Sequence, residues 1–328
     1  MRVAAIQAES AWLDLDAGVD KVCRLIKEAA ATGSELIGFP EVFIPGFPHA
    51  LYTSPPSVEW VLKYQKNSLV LNSPEYNKIR QAVREAGVWV VLGFSERDGS
   101  TLYLAQSFIA PSGEVALHRR KLKPTHVERY VFGDGQADSV QSTVKTANGI
   151  VIGGLNCWEH MQPLLRYHEY AQGVQVHVAS WPPMKWDKEG EPLSPASSAQ
   201  ACGDLVTRMM ALEGGTFALC CTAFSTEEGA KIMNLDPNSK ESIANFCPIV
   251  GGGFTAIYGP NGSIIARAKD EATEQIVTAD LDFDDIHRSR PDLLSLNVTS
   301  THASQVCYSD GKHAKTLTER ILPLPPTH

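Results

Sequence analysis

The chain opens on an apolar strand pattern from Arg2 to Ala8. Val19, Val22, Leu25, Ile26 and Ala29 then recur at helical spacing up to Gly33, a residue suited to end a helix. Leu36 to Phe39 is a short apolar run stopped by Pro40, which predicts that Glu41 lies just past the end of a buried strand. Pro45, Pro48, Pro55 and Pro56 predict a loop, and helical patterning follows to about Arg84. The period then changes. Val88 to Phe94, Leu102 to Ile109 and Val115 to His118 are β-rich runs separated by Asp98-Gly99 and Pro111-Ser112-Gly113, which predicts consecutive antiparallel strands.

Residues 119 to 135 are charged yet lie between apolar strands, so they are expected to fold over the sheet edge as a site loop. Gly149 to Leu155 reads as a strand ending at Asn156-Cys157-Trp158-Glu159-His160, and a helix is expected from about Gln162 to Gln172. Cys157 would then sit in a tight strand-to-helix turn. A strand from Val174 to Ser180, a helix from about Ser197 to Glu213 and a strand from Thr216 to Ala223 resume the βα alternation. Further strands are expected at Gly253 to Tyr258, Ser263 to Ala266 and Ile276 to Ala279, with Pro260-Asn261-Gly262 as a hairpin turn. Beyond Pro291 there is little periodicity. Hairpin and βαβ contexts together, with helices enough to cover one face of each of two sheets, predict a single α/β domain.

Composition narrows the function. At 328 residues and 43 % apolar content the chain can bury a large core. Its formal charge is -8, with 29 basic against 37 acidic residues and no basic block, which argues against nucleic acid or an anionic membrane as partner and for a small diffusing substrate. No apolar run approaches the roughly eighteen residues that span a bilayer, so a soluble cytoplasmic protein is expected. Seven cysteines, at 23, 157, 202, 220, 221, 247 and 307, lack the paired spacings of a zinc site and read as reduced thiols.

Three places can carry chemistry. A thiol at Cys157, leading into a helix, can meet substrate with its thiolate favoured by backbone N–H groups; the alternative is a small buried hydrophobe. Glu41, set among apolar neighbours, would have its proton affinity raised and could serve as general base and acid, or else be a cap or salt-bridge partner. The cations from Arg119 to Arg129 read alone as a solvated face, but Lys121 or Lys123 could stabilise the anion formed when a nucleophile adds to C≡N or C=O. Cys157 and His160 are three apart, which raises a Cys-His dyad or a metal site, yet nothing completes a ligand set. Gly251-Gly252-Gly253 and Gly133-Asp134-Gly135 read as turns rather than phosphate loops, and there is no Gly-x-Ser-x-Gly elbow.

In chain order these sites are Glu, Lys and Cys, and the sequence resembles the nitrilase superfamily, in particular its nitrilase and cyanide-hydrating branch. Residues 39–46, Phe-Pro-Glu-Val-Phe-Ile-Pro-Gly, resemble its first motif, residues 118–129 its second and residues 154–160 its third. The resemblance extends from Val3 to about Leu294, leaving residues 295–328 as a C-terminal tail expected to take part in subunit contacts. It implies a four-layer α-β-β-α sandwich, dimers that pair through helices near the site, and larger spiral or filamentous homo-oligomers. By the same resemblance Glu41 is the general base and acid, Lys121 the charge-stabilising lysine, Cys157 the nucleophile and Glu128 a second, orienting glutamate. Lys121 is preferred to Lys123 because its seven-residue spacing to Glu128 matches the motif.

Two stretches depart from the pattern. The segment 280–292 is short, with His287-Arg288-Ser289 where a Gly-His-Tyr element usually stands, and His49-Ala50-Leu51-Tyr52 replaces a tryptophan-bearing run. The resemblance implies hydrolysis of a nitrile to acid and ammonia through a thioimidate and a thioester, with no metal or organic cofactor. The alternatives are a nitrile-hydrating enzyme such as a cyanide hydratase, an amidase, and a catalytically silent scaffold. Trp158, His160, Trp181, Phe132, Tyr52 and Trp186 are candidate lining for an apolar substrate pocket, and equally candidate core residues.

Overall fold

Strands covered on both faces bury nearly every side chain, and β1 (Arg2–Glu9) does so from Val3 to Ala8. In chain order it is followed by α1 (Leu15–Ala31), β2 (Leu36–Gly38), α2 (Val58–Lys66), α3 (Pro74–Ala86), β3 (Trp89–Asp98), β4 (Thr101–Ile109) and β5 (Val115–Arg120). Next come β6 (Thr143–Lys145), β7 (Val151–Asn156), α4 (Pro163–Ala171), β8 (Val176–Trp181), α5 (Ala199–Gly214) and β9 (Phe217–Phe224). The chain continues through α6 (Glu227–Ile232), β10 (Ala256–Tyr258), β11 (Ile264–Arg267), β12 (Gln275–Asp280) and α7 (Asp284–Leu293). This computed structural model describes residues 1–52, 56–184, 199–233 and 250–293. Trp186, Cys247, Cys307 and the tail 295–328 lie outside the described residues.

The strands form one continuous twelve-stranded sheet that folds on itself as two six-stranded sheets, ordered β5-β4-β3-β2-β1-β12 and β6-β7-β8-β9-β10-β11. β1 joins them. Its residues 2–7 pair antiparallel with β12, and its last residues, 7–9, pair parallel with 222–224 of β9. Side-chain alternation then separates the layers. Ala4, Ile6, Val90 and Leu92 meet Val22, Leu25 and Ile26 of α1 and Ile79 and Val83 of α3 on the outside of the first sheet. Val3, Ala5, Val91 and Phe108 point the other way, against Ile152, Val176, Val178 and Leu219 of the second sheet. Leu155, Ala179 and Ala218 face outward toward Leu165, Tyr170, Met210 and Ala211 of α4 and α5. The result is a four-layer α-β-β-α sandwich. Each fully buried aliphatic of this set contributes roughly 1.5–3 kcal/mol.

Local signals agree with these boundaries. Asp14 caps α1 by accepting from the Ala17 N–H, and Gly33 adopts φ 86 just beyond its end. Ser73 and Pro74 open α3, and left-handed Gly87 closes it. β3, β4 and β5 form the expected antiparallel meander. The helical stretch before Arg84 resolves into two helices, α2 and α3. β6, α6 and α7 had no sequence counterpart: three and six residues are too few to show a period, and α7 buries Ile286 against the inter-sheet core from an otherwise charged segment. No helix among the described residues is long and apolar enough to cross a membrane.

Candidate active site

Glu41 is carried by the chain that leaves β2. The Phe39 N–H donates to the Val91 carbonyl at 2.9 Å, the Phe43 N–H to that of Gly93 at 2.9 Å, and the Ser95 N–H to that of Ile44 at 2.7 Å, so this segment runs tight along β3. Gly93 permits the approach: a Cβ there would stand 2.4 Å from the Pro40 carbonyl oxygen and 3.0 Å from the Glu41 Cα. Val42 next to it holds φ 47. The Glu41 carboxyl is consequently driven inward, with 1 % of the residue exposed.

Lys121 is the first residue after β5, and its backbone remains paired: its N–H donates to the Leu104 carbonyl at 2.6 Å, and its carbonyl accepts from Gly135 at 3.0 Å. Its side chain is fully buried between two carboxylates. Nζ donates to Glu41 Oε1 at 2.9 Å and to Glu128 Oε1 and Oε2 at 3.0 and 2.9 Å. Glu128 sits in the 3-10 turn His126–Tyr130 and also accepts from the Thr125 N–H at 2.5 Å. Lys123 is elsewhere: its side chain is 68 % exposed and paired with Asp134.

Cys157 follows β7 and begins the 3-10 turn Cys157–Met161 with φ 43, a conformation that costs a non-glycine residue about 1–3 kcal/mol. The Trp158 N–H is close enough to its sulfur to favour the thiolate. The turn is tied to the lysine segment by Glu159, whose carboxylate takes both guanidinium arms of Arg119 at 2.8 and 2.7 Å. The same group also accepts from the Leu122 N–H at 3.0 Å and the Asn156 N–H at 2.9 Å. This pair brings Cys157 and Lys121 into one place.

The charges are unequal. Burial, with the nearby Glu128 charge, pushes the Glu41 carboxyl up to about 8 against the pull of Lys121. Burial and then the Glu41 charge push the Cys157 thiol well above its ordinary value. Lys121 is raised: burial opposes its charge, but Glu128 and Glu41 outweigh that. Two glutamates share the one ammonium, so little of its charge is left for the sulfur, which rests as a thiol. Glu41 Oε1 is bound to Lys121, whereas Oε2 has no hydrogen-bond partner among the described residues. A buried, elevated carboxylate with one free oxygen near a thiol is equipped to take its proton as the sulfur attacks.

The remaining candidates divide. Tyr52 stacks on His126 at 5.8 Å, and Trp158 and His126 line a cavity of about 830 Å³ together with Leu122, Leu165 and Tyr167. None of Glu41, Lys121 and Cys157 lines it. Phe132 packs edge-on to Tyr64 in the core beneath α2, and Trp181 is fully buried with Nε1 donating to Thr207. His160 lies behind the turn with both ring nitrogens spent, Nδ1 on the Cys157 carbonyl and Nε2 on His177, so the ring forms no dyad with the cysteine sulfur. No group of three or more His, Cys, Asp or Glu side chains is arranged to hold a metal among the described residues. Cys23, Cys157, Cys220 and Cys221 are free thiols.

Nothing in the local pattern marks Arg119, Glu169 or His177 as a supporting residue. Only register could have found Arg119: it precedes Lys121 by two, the spacing that puts two side chains on one face of a strand.

The chain is 45 % identical over 320 residues to a nitrilase of Talaromyces marneffei, covering 92 % of this chain and 96 % of that one. It is 41 % identical over 310 residues to an arylacetonitrilase of Hypocrea virens, covering 91 % and 92 %, and 44 % identical over 287 residues to a cyanide hydratase of Armillaria gallica, covering 87 % and 78 %. Among solved structures, an amidase of Nesterenkonia sp. AN1 shares the fold with a TM-score of 0.60 at 17 % identity, covering 90 % of this chain and 99 % of that one. The carbon–nitrogen hydrolase family matches residues 2–291, and the chain belongs to that family.

Proposed function

We propose that the protein is a nitrilase that converts an organic nitrile and two waters to a carboxylic acid and ammonia, with Cys157 as nucleophile. The observation that carries this reading is the free Oε2 of a buried, elevated Glu41 beside Cys157, with Oε1 anchored on Lys121. The nitrilase and arylacetonitrilase relatives, each matched over more than nine-tenths of this chain, support nitriles over amides.

Glu41 accepts the thiol proton while sulfur bonds to the nitrile carbon. One C–N π pair moves to nitrogen, which takes a proton from the Glu41 carboxyl, and Lys121 with the Trp158 N–H stabilises the charge that develops. The product is a thioimidate. Water, deprotonated by Glu41, adds to its carbon as the C=N π pair moves to nitrogen; Glu41 returns that proton to nitrogen and relays the proton of the new hydroxyl to it, the C–N bond breaks, ammonia leaves and a thioester remains. A second water, activated in the same way, releases the acid and restores the thiol. Glu128 keeps the Lys121 ammonium in place, and no metal or organic cofactor is called for.

A second reading has support from the cyanide hydratase relative: if the tetrahedral intermediate loses sulfur before nitrogen, the product is an amide. Quantifying ammonia, acid and amide from aliphatic nitriles, aromatic nitriles, arylacetonitriles and cyanide tests both. Acid with equimolar ammonia is expected; amide alone would overturn the nitrilase assignment in favour of hydration, and fast amide hydrolysis with inert nitriles would make the enzyme an amidase. Cys157→Ala is expected to abolish turnover without unfolding; a silent scaffold would show no turnover to lose.

We further propose a cytoplasmic enzyme whose site-proximal helices pair two copies, with larger spirals or filaments built on that dimer and the tail 295–328 joining the contacts. Leu164 on α4 and Leu205 on α5, 73 % and 64 % exposed, support such pairing. Sedimentation showing only monomer would overturn it.

A further inference from the structure

Behind the cysteine turn runs a buried chain of polar groups that the reaction above does not use. Glu169 Oε1 meets His177 Nδ1 at 2.5 Å, His177 Nε2 meets His160 Nε2 at 2.8 Å, and His160 Nδ1 meets the Cys157 carbonyl oxygen at 2.7 Å. All three side chains are fully buried. Space is reserved for them, since a Cβ on Gly153 would stand 2.2 Å from Glu169 Oε1. Ser142 donates to the other carboxylate oxygen at 2.8 Å, Trp181 stacks on His160 at 5.1 Å, and Arg166 holds the His160 carbonyl at 2.6 Å.

Proton counting fixes the direction of the chain. A carbonyl oxygen has no proton to give, so His160 Nδ1 carries one. The contact between the two Nε2 atoms needs one proton, and the contact between Glu169 and His177 needs another. Three links require three protons, one more than an ionised carboxylate and two neutral imidazoles hold. Burial, with the neighbouring His177 next in weight, pushes His160 well below its ordinary value, so His160 is neutral with its proton on Nδ1.

The carbonyl at the end of this chain belongs to the peptide that joins Cys157 to Trp158. A trans peptide is planar, with its C=O and N–H pointing in opposite directions. Holding the C=O toward His160 therefore aims the Trp158 N–H the other way, and that N–H favours the Cys157 thiolate. Hydrogen bonding at the oxygen also polarises the amide and strengthens the N–H as a donor. We infer that His160, held through His177 by Glu169, is a positioning residue for the nucleophile, fixing and polarising the Cys157–Trp158 peptide whose N–H stabilises charge at the reacting carbon's nitrogen. This rests on Cys157 being the nucleophile.

Two amides at position 160 separate the ends of the ring. The Asn side-chain nitrogen can occupy the place of Nδ1 and still donate to the Cys157 carbonyl, whereas Gln reaches the place of Nε2 and leaves that carbonyl without its donor. His160→Gln is expected to lower kcat about 100-fold, the scale of losing one such donor, with KM nearly unchanged. His160→Asn should keep kcat within about tenfold of the parent, because the donor that matters is retained. Equal losses in the two folded variants, or an undiminished kcat in His160→Gln, would overturn the inference. Should neither fold, His177→Phe removes the partner that holds the His160 ring in place, and kcat is expected to fall by about tenfold with KM steady; an unchanged kcat would overturn it. Cys157→Ala run alongside keeps the two ideas apart. Activity surviving there removes the nucleophile assignment, while an inactive Cys157→Ala with an unaffected His160→Gln removes only the positioning role.

Discussion

Two buried ion clusters stand side by side at the end of β5, and they are built oppositely. Arg119 and Glu159 are matched one to one, and the carboxylate is saturated by both guanidinium arms and two backbone N–H groups. Lys121 is shared by two carboxylates, and Glu41 keeps one oxygen unpaired. Burial raises the proton affinity of both glutamates, but at Glu159 the Arg119 charge and the backbone donors outweigh it and the net shift is downward, whereas Glu41 ends near 8. The saturated cluster braces the turn, and the unsaturated one keeps an oxygen open for the proton transfer proposed for Glu41.

The largest effect should come from Glu41→Gln, which is expected to lower kcat about 10³–10⁴-fold by removing the general base while the protein stays folded. Its stability should change with pH in a defined sense. A carboxyl raised from 4.5 to about 8 holds more protons folded than unfolded between those values, so it makes the parent less stable as pH rises through that window. Thermal melts of Glu41→Gln should lack that decline. Glu159, lowered in the folded state, acts in the opposite direction: its contribution is present above 4.5 and is lost as pH falls through its depressed value.

Next in size is Arg119→Met, which strands the Glu159 charge in the interior and is expected to cost about 3–5 kcal/mol in denaturant unfolding. Adding Glu159→Gln should restore part of that loss. A negligible cost for Arg119→Met would mean that the two clusters do not differ in the way described. Glu128→Gln is a smaller perturbation. With one carboxylate gone, Lys121 acts on Glu41 undivided, so the acidic limb of the kcat/KM profile should move to lower pH while kcat falls about 10–100-fold; a limb that moves upward would contradict the charge balance. Lys123→Ala, at an exposed ion pair, should change stability by less than about 1 kcal/mol and leave kcat alone.

The same comparison explains what could be read from the chain. Glu41 after Pro40 and Cys157 after an apolar strand were visible because each follows a local strand-to-loop transition, and the β3-β4-β5 meander was visible through its alternation and turn residues. The cations between 119 and 129 read as one solvated face, yet Arg119 and Lys121 are buried while Lys123 and Arg129 are exposed. What separates them is a partner 40 residues later for Arg119 and one 80 residues earlier for Lys121, separations that no local pattern encodes. The His160–His177 contact spans 17 residues between a turn and β8 and was hidden for the same reason.

In the proposed reaction, sulfur at position 157 attacks the substrate carbon with Glu41 as its base. Peptide mapping by mass spectrometry of an acid-quenched, turning-over reaction with an arylacetonitrile tests it most directly. An imidoyl or acyl adduct on the peptide carrying Cys157 is predicted, and an adduct mapped to a different side chain would contradict it.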